Sequence, residues 1–230
     1  MSDVQEQHHS DHDLNDHDQK QDHEHNHGHS HGHNHSHGND DPFCNPSKLF
    51  ILKYSFRNYI RRRSYYKEIM KQLNLKGSEN VIDFGSGVGT LAKKLAPKLQ
   101  KNGKLVCSDV SEKLLNHTKD QLKKYSNIDY LLGNLSDQNL TDKSFDYVIS
   151  TWVLHHLNKN DLELTIKKFS TILKDNGKIF IIEFPEEYEH NHHFHNKIKL
   201  NDILALFNEH QFKNRVLLFK DAGILYEFHR

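Results

Sequence analysis

Cysteine is scarce: Cys44 and Cys107 are the only two in 230 residues, and their spacing is not that of a metal site. A disulfide framework is thereby excluded, and a reducing, cytoplasmic location is expected. Long apolar runs are missing too. None approaches the roughly 20 residues that a membrane-spanning helix needs. The first residues lack the basic-then-apolar pattern of a secretion signal. Hydrophobic residues make up only 35% of the chain, and the mean hydropathy is −0.84. That deficit is local to the N-terminal stretch, so the remainder can still build one core of ordinary size.

Net charge is zero, but it is divided unevenly. Residues 1–41 hold ten acids and one base, a charge of −9, which leaves +9 on the rest of a neutral chain. An acidic arm precedes a basic body, and the body is suited to anionic substrates or surfaces. With almost no large apolar side chains, the arm cannot offset the entropy of ordering and is expected to be disordered. Twelve of the 21 histidines lie in it. From His23 through His25, His27, His29, His31, His33, His35 and His37, every second residue is His. Neutral imidazoles on a flexible chain can gather around Ni or Zn. The run resembles the His-rich arms of nickel chaperones and zinc transporters. The plainer reading is a solubilising arm whose charge changes near the imidazole pKa of ~6.5.

Pro42 and Pro46 bracket a linker, and residues 42–73 form the second segment of the expected division. Residues 47–73 read as one long helix, with Leu49, Leu52, Phe56, Tyr59, Ile60, Tyr66, Ile69, Met70 and Leu73 at helical spacing. Lys53, Arg57 and Arg61 form an i, i+4 stripe beside them. Two readings stand: a covering helix packed on the main domain, or a gate meeting an anionic or lipid-like substrate. Nucleic acid is a weaker reading, because one basic helix is a weak signal.

Residues 74–230 form the third segment. Strands are expected at 81–84, 104–109, 128–132, 145–150 and 178–184, alternating with helices at about 90–100, after Ser111, after Asp161 and at about 196–209. Two closing runs, Asn214–Phe219 and Ala222–His229, are expected to pair antiparallel. The alternation predicts an α/β, doubly wound sheet of seven strands, mostly parallel, with an antiparallel C-terminal edge hairpin.

The most informative stretch is Val81-Ile82-Asp83-Phe84-Gly85-Ser86-Gly87-Val88-Gly89-Thr90. A short apolar run ends in an acid, three glycines alternate, and a helical pattern begins. Glycines there let the chain turn and let a ligand lie against bare main chain, beyond the carboxyl end of a strand. A dinucleotide fingerprint would place its third glycine at position 90, and a P-loop would need Gly-Lys-Ser/Thr. Neither is present.

This run resembles motif I of class I S-adenosylmethionine (SAM)-dependent methyltransferases, whose fold is Rossmann-like. The resemblance continues in order along most of residues 75–230. It implies that Asp83 lies near the methionyl amino group, that Gly85, Ser86, Gly87 and Gly89 form the cofactor turn, and that Asp109 holds both ribose hydroxyls. Val110 would lie against adenine. In Gly133-Asn134-Leu135, Asn134 stands where the family usually has an acid. Residues 144–157, with Ser150, His155 and His156, look like the family's fourth-strand segment. Leu173-Lys174-Asp175-Asn176-Gly177-Lys178 stands where Leu-Lys-Pro-Gly-Gly is common.

His155 and His156 are the candidate proton acceptors, with a structural role the plainer reading. Glu183 either faces the acceptor or forms a surface ion pair. A second His cluster, His190, His192, His193 and His195, follows in a polar loop with Glu186, Glu187 and Glu189. It reads as a flap or a metal site. The expected function is methyl transfer from SAM to a small-molecule acceptor, without a dedicated nucleophile. Two other functions remain open: a metal-delivery protein whose methyltransferase-like domain is a carrier or sensor, and a methyltransferase acting on protein or nucleic acid.

Overall fold

The computed structural model describes residues 45–100, 102–185, 198–220 and 223–230. The His-rich arm, the start of the linker and the His190–His195 cluster lie outside the described residues.

Seven strands form one sheet: β1 (Asn80–Phe84), β2 (Lys104–Asp109), β3 (Ile128–Leu132), β4 (Phe145–Thr151), β5 (Leu173–Glu183), β6 (Lys213–Lys220) and β7 (Gly223–His229). Their spatial order is β3-β2-β1-β4-β5-β7-β6. β1 to β5 run parallel, and β7 pairs antiparallel with both β5 and β6. The chain therefore steps outward from β1 to β3 and returns to β4, which places the switch point of the sheet between β1 and β4.

Alternate residues on the parallel strands feed two cores, one per face. Ile82, Val148 and Ile179 face helices α5 (Lys159–Ile172) and α6 (Leu200–Glu209), meeting Ile166, Phe169 and Phe207. Val81, Leu105, Ile149 and Phe180 face the other side. There they meet Ile69 and Leu73 of α2 (Arg63–Leu73), Leu95 of α3 (Ala92–Leu95), and Leu115 and Leu122 of α4 (Glu112–Leu122).

Several elements differ from the expectation, each for a local reason. The helix expected from Thr90 to Gln100 is only α3 plus a 3-10 turn, Ala96–Lys98. Pro97 lacks the N–H that would continue the α-ladder. α5 is capped by Asn158, not Asp161. Asn158 Oδ1 accepts from the Asp161 N–H at 2.9 Å, and its side-chain amide donates to Asp161 Oδ2 at 2.7 Å, so the N-cap and the third helical residue hold each other. β5 starts at Leu173 because that residue pairs with Phe145 across a bulge.

The larger correction is N-terminal. Residues 47–73 are not one helix but two, α1 (Lys48–Arg61) and α2, broken at Arg62 (φ −98°, ψ 2°). α2 packs as a covering helix should: Tyr65, Tyr66, Ile69 and Leu73 are buried. The Tyr65 hydroxyl meets the carbonyls of Lys220 and Gly223, fastening α2 to the β6–β7 pair. α1 does not pack this way, and Leu49, Leu52, Phe56 and Ile60 are exposed. No described helix is long and apolar enough to cross a membrane.

Candidate active site at the carboxyl ends of β1, β2 and β4

The turn after β1 is held entirely by main-chain and short side-chain bonds. Gly85 N–H and Ser86 N–H both donate to Ser108 O, at 2.8 and 3.0 Å. Gly89 N–H donates to Ser86 O at 2.9 Å. The Thr118 hydroxyl donates to Gly87 O at 2.8 Å. Gly85 and Gly87 both sit at positive φ, +68° and +56°, where a side chain is strained. They differ in their surroundings. A Cβ on Gly85 would lie 2.3 Å from Val153 Cγ2, so the turn is closed on that side. A Cβ on Gly87 would meet nothing nearer than Gly85 O at 3.9 Å, so bare backbone faces open space there.

Two acids flank this bare backbone. Asp109, at the end of β2, accepts from Gly87 N–H (Oδ2, 2.8 Å) and from Ser111 N–H (Oδ1, 2.9 Å). It thus ties the glycine turn to the start of α4. Burial pushes its pKa up, and backbone bonds from Ser111, Gly87 and Val110 pull it back. Each carboxylate oxygen keeps a further lone pair for a ligand. Asp83 is 1% exposed, and its Oδ2 has no hydrogen-bond partner. Burial pushes the Asp83 pKa up to about 7, the Asp109 charge adds to the rise, and a backbone bond from Ala92 opposes it. A buried carboxyl with an orphaned oxygen suits a cationic or N–H-bearing ligand.

The two acids open onto a cavity of about 340 Å³, within the usual range for small-molecule sites. Of the residues expected to hold a cofactor, Asp83, Gly85, Ser86, Gly87, Asp109, Val110, Asn134 and Leu135 line it. Ser86 Oγ is buried without a partner. Gly89 and Ser150 are not on the wall. Gly89 backs against Thr118, and Ser150 is fully buried in β4 with an unpartnered hydroxyl.

The other half of the wall was not singled out as site residues by the sequence. Tyr54 of α1, Arg62 at the helix break, Tyr66 of α2 and Trp152 after β4 all line it. Trp152 adopts a left-handed φ of +56°, rare for a bulky residue. The Arg62 guanidinium lies 3.9 Å from its ring centroid, a cation–π contact. Arg62 also donates toward the Tyr54 hydroxyl at 3.4 Å. Burial raises the Tyr66 pKa to about 12, against the lowering effect of Arg62. The signal available was the lone Trp directly after a strand; the side of the helix carrying Tyr54 gave none.

The two candidate histidines separate. His156 lines the cavity, whereas His155 is buried behind it. They begin no α-helix: Leu154–His156 is a 3-10 turn, and α5 starts at Lys159. Glu183 is neither a surface ion pair nor open to the cavity. It is buried at the end of β5, where Oε2 pairs with His155 Nδ1. Its Oε1 accepts from the N–H groups of Val153 and Leu154, at 3.1 and 2.8 Å. Glu183→Ala is expected to cost about 3–5 kcal/mol in urea unfolding, because two buried N–H groups and His155 lose their acceptor. Glu183→Gln retains one oxygen and is expected to cost less. Equal stability of the alanine variant and the parent would refute this. Among the described residues no group of three or more His, Cys, Asp or Glu is placed to hold a metal ion.

A doubly wound sheet, a glycine turn at its switch point and acids near the ends of β1 and β2 are the arrangement expected of Rossmann-like SAM-dependent methyltransferases. The comparisons agree. Residues 81–177 match the family model described as a methyltransferase domain. A ubiquinone/menaquinone biosynthesis C-methyltransferase of Rickettsia prowazekii is 32% identical over 127 residues, covering 53% of this chain and 50% of that protein. An uncharacterized methyltransferase of Staphylococcus carnosus is 27% identical over 149 residues, covering 65% of this chain and 64% of that protein. The chain thus spans about half the length of the first of these relatives and under two thirds of the second. Among solved structures, the PH0226 protein of Pyrococcus horikoshii superposes with a TM-score of 0.62 at 18% identity, covering 74% of this chain and 91% of that one. A SAM-dependent methyltransferase of Aquifex aeolicus gives 0.58 at 17% identity, covering 71% and 88%. Residues 81–177 thus match a methyltransferase domain, and the chain is similar to class I SAM-dependent methyltransferases.

Proposed function

We propose that this chain transfers a methyl group from SAM to a small, largely apolar acceptor that carries an acidic or anionic group. One observation supports the reading most: the unpartnered Oδ2 of buried Asp83 and the doubly bonded Asp109 flank the open backbone of Gly87. In this reading Asp109 holds the ribose hydroxyls, Asp83 and Ser86 face the amino-acid end, and Val110, Asn134 and Leu135 surround the adenine. SAM brings its own activation, because its sulfonium is a good leaving group. The chain's part is to orient the acceptor and to exclude water.

The acceptor's wall is Tyr54, Arg62, Tyr66, Trp152 and His156. It is aromatic, with one fixed cation for an acidic oxygen. His156 is the candidate proton acceptor, and its ring lies 4.2 Å from that of His155, which Glu183 anchors. The Rickettsia relative is named for quinone biosynthesis, and an aromatic hydroxyl acceptor fits the same wall. The His-rich arm is proposed as a Ni- or Zn-gathering appendage on its sequence alone.

SAM at 100 times its Kd is expected to stabilise the chain by about 2.7 kcal/mol, or roughly 5–10 °C in Tm for a domain of this size. Its demethylated product, S-adenosylhomocysteine, is expected to do the same. Absence of a shift with either at millimolar concentration overturns the reading.

A further inference from the structure

Helix α1 leaves its apolar side unburied. Leu49, Leu52, Phe56 and Ile60 are 60%, 68%, 69% and 58% exposed. Their spacing aligns them in one stripe along the helix. By sequence the helix, KLFILKYSFRNYIR, carries four bases and no acid. Tyr54, which lines the cavity, is five residues from Leu49 and two from Phe56. At about 100° per residue it stands on the other side of the helix. α1 therefore turns one side to the cavity and an apolar, acid-free side outward.

Three occupants differ in their chemistry. A second copy would set two acid-free basic helices against each other, and like charges would oppose the apolar contact. The chain's own arm, residues 1–41, is acidic but offers only Met1, Val4 and Leu14 as large apolar side chains. It matches the charge and cannot cover the stripe. An anionic lipid surface satisfies both requirements: acyl boundary for the leucines and Phe56, phosphate headgroups for the bases. We propose that α1 docks on an anionic bilayer, lying in the interface plane with its Leu49–Ile60 stripe among the acyl chains. The cavity mouth, which Tyr54 and Arg62 share, is then held beside the membrane. This inference rests on α1 alone and is independent of the methyl-transfer reading.

The test is co-sedimentation of the full chain, without SAM, with vesicles of phosphatidylcholine alone or with phosphatidylglycerol at 7:3. The chain has no net charge, so a preference for the anionic vesicles reports local charge. Binding is expected to be at least about tenfold stronger to the anionic vesicles and to weaken in 0.5 M salt, where screening shortens to a few ångström. Leu52→Asp with Phe56→Asp is expected to abolish it. These residues are exposed, so an unchanged Tm verifies folding. Lys53→Glu is expected to weaken binding severalfold. No binding to anionic vesicles, or binding undiminished by the double substitution, overturns the proposal. A concentration-dependent dimer that the double substitution dissolves, with no vesicle binding, also overturns it and assigns the face to a second copy.

Discussion

Asp83→Asn is expected to make the cofactor-free protein more stable at pH 8 while weakening its hold on SAM. The carboxyl of Asp83 has an ordinary value of 3.8 and is raised to about 7 in the fold, first by burial and then by the Asp109 charge. Between those values the folded state keeps a proton that the unfolded state has released. Stability is therefore fully present below pH ~4 and declines as pH rises through ~7. The shift corresponds to an upper bound of about 4 kcal/mol at pH 8, at about 1.36 kcal/mol per pKa unit. Asparagine has the same shape and no charge, so the gain appears at pH 8 and vanishes near pH 4. Binding runs the other way. A cation beside Asp83 favours its ionised form, so SAM affinity in the parent is expected to rise from pH 6 to pH 8. In the variant it is expected to be weaker and flat with pH. Urea unfolding at both pH values, with calorimetric titration of SAM, reads both effects. A variant destabilised equally at pH 4 and pH 8, or one that binds as tightly as the parent, would contradict the assignment.

Asp109→Ala is expected to lose at least two orders of magnitude in affinity for S-adenosylhomocysteine. Two charge-assisted hydrogen bonds to sugar hydroxyls are each worth about 1.5–3 kcal/mol. The same change orphans the Gly87 and Ser111 N–H groups, at about 1–3 kcal/mol apiece, so Tm falls as well. Ser111→Ala separates the two effects. Ser111 caps α4 by accepting from Leu114 N–H, and its loss costs about 1 kcal/mol of stability without touching the cradle charge. If Asp109→Ala falls in Tm but keeps its product affinity, Asp109 is a structural tie and nothing more. Removing its charge is also expected to lower the Asp83 pKa, since the two carboxyls repel.

The parallel half of the sheet was readable because its strands are largely apolar runs between turn signals, and the glycine turn because Gly85 has no room for a side chain and both Gly85 and Gly87 sit at a positive φ that strains one. Eight of the ten expected cofactor residues line one cavity for the same reason: motif spacing fixes where strand ends lie relative to one another. Gly89 and Ser150 share that spacing but point into packing, which spacing alone does not reveal. α1 shows the opposite failure. Its apolar stripe has the periodicity of a buried face and is exposed, because periodicity records a side and not what covers it. Glu183 likewise read as either an acid facing the acceptor or a surface ion pair, and it is neither. Its partners, the Val153 and Leu154 N–H groups and His155, are about 30 residues away in sequence.

The order of the sheet also bears on how its edges are closed. β6 precedes β7 in synthesis, yet only β7 pairs with β5, and β6 reaches the sheet through β7 alone. Before β7 inserts, β6 has both of its edges open and the outer edge of β5 is open as well. Exposed edges of this kind invite pairing with foreign strands. The stretch from Gly223 to His229 is therefore the strand whose insertion closes both edges at once, and its loss by truncation would leave β5 and β6 open to foreign strands.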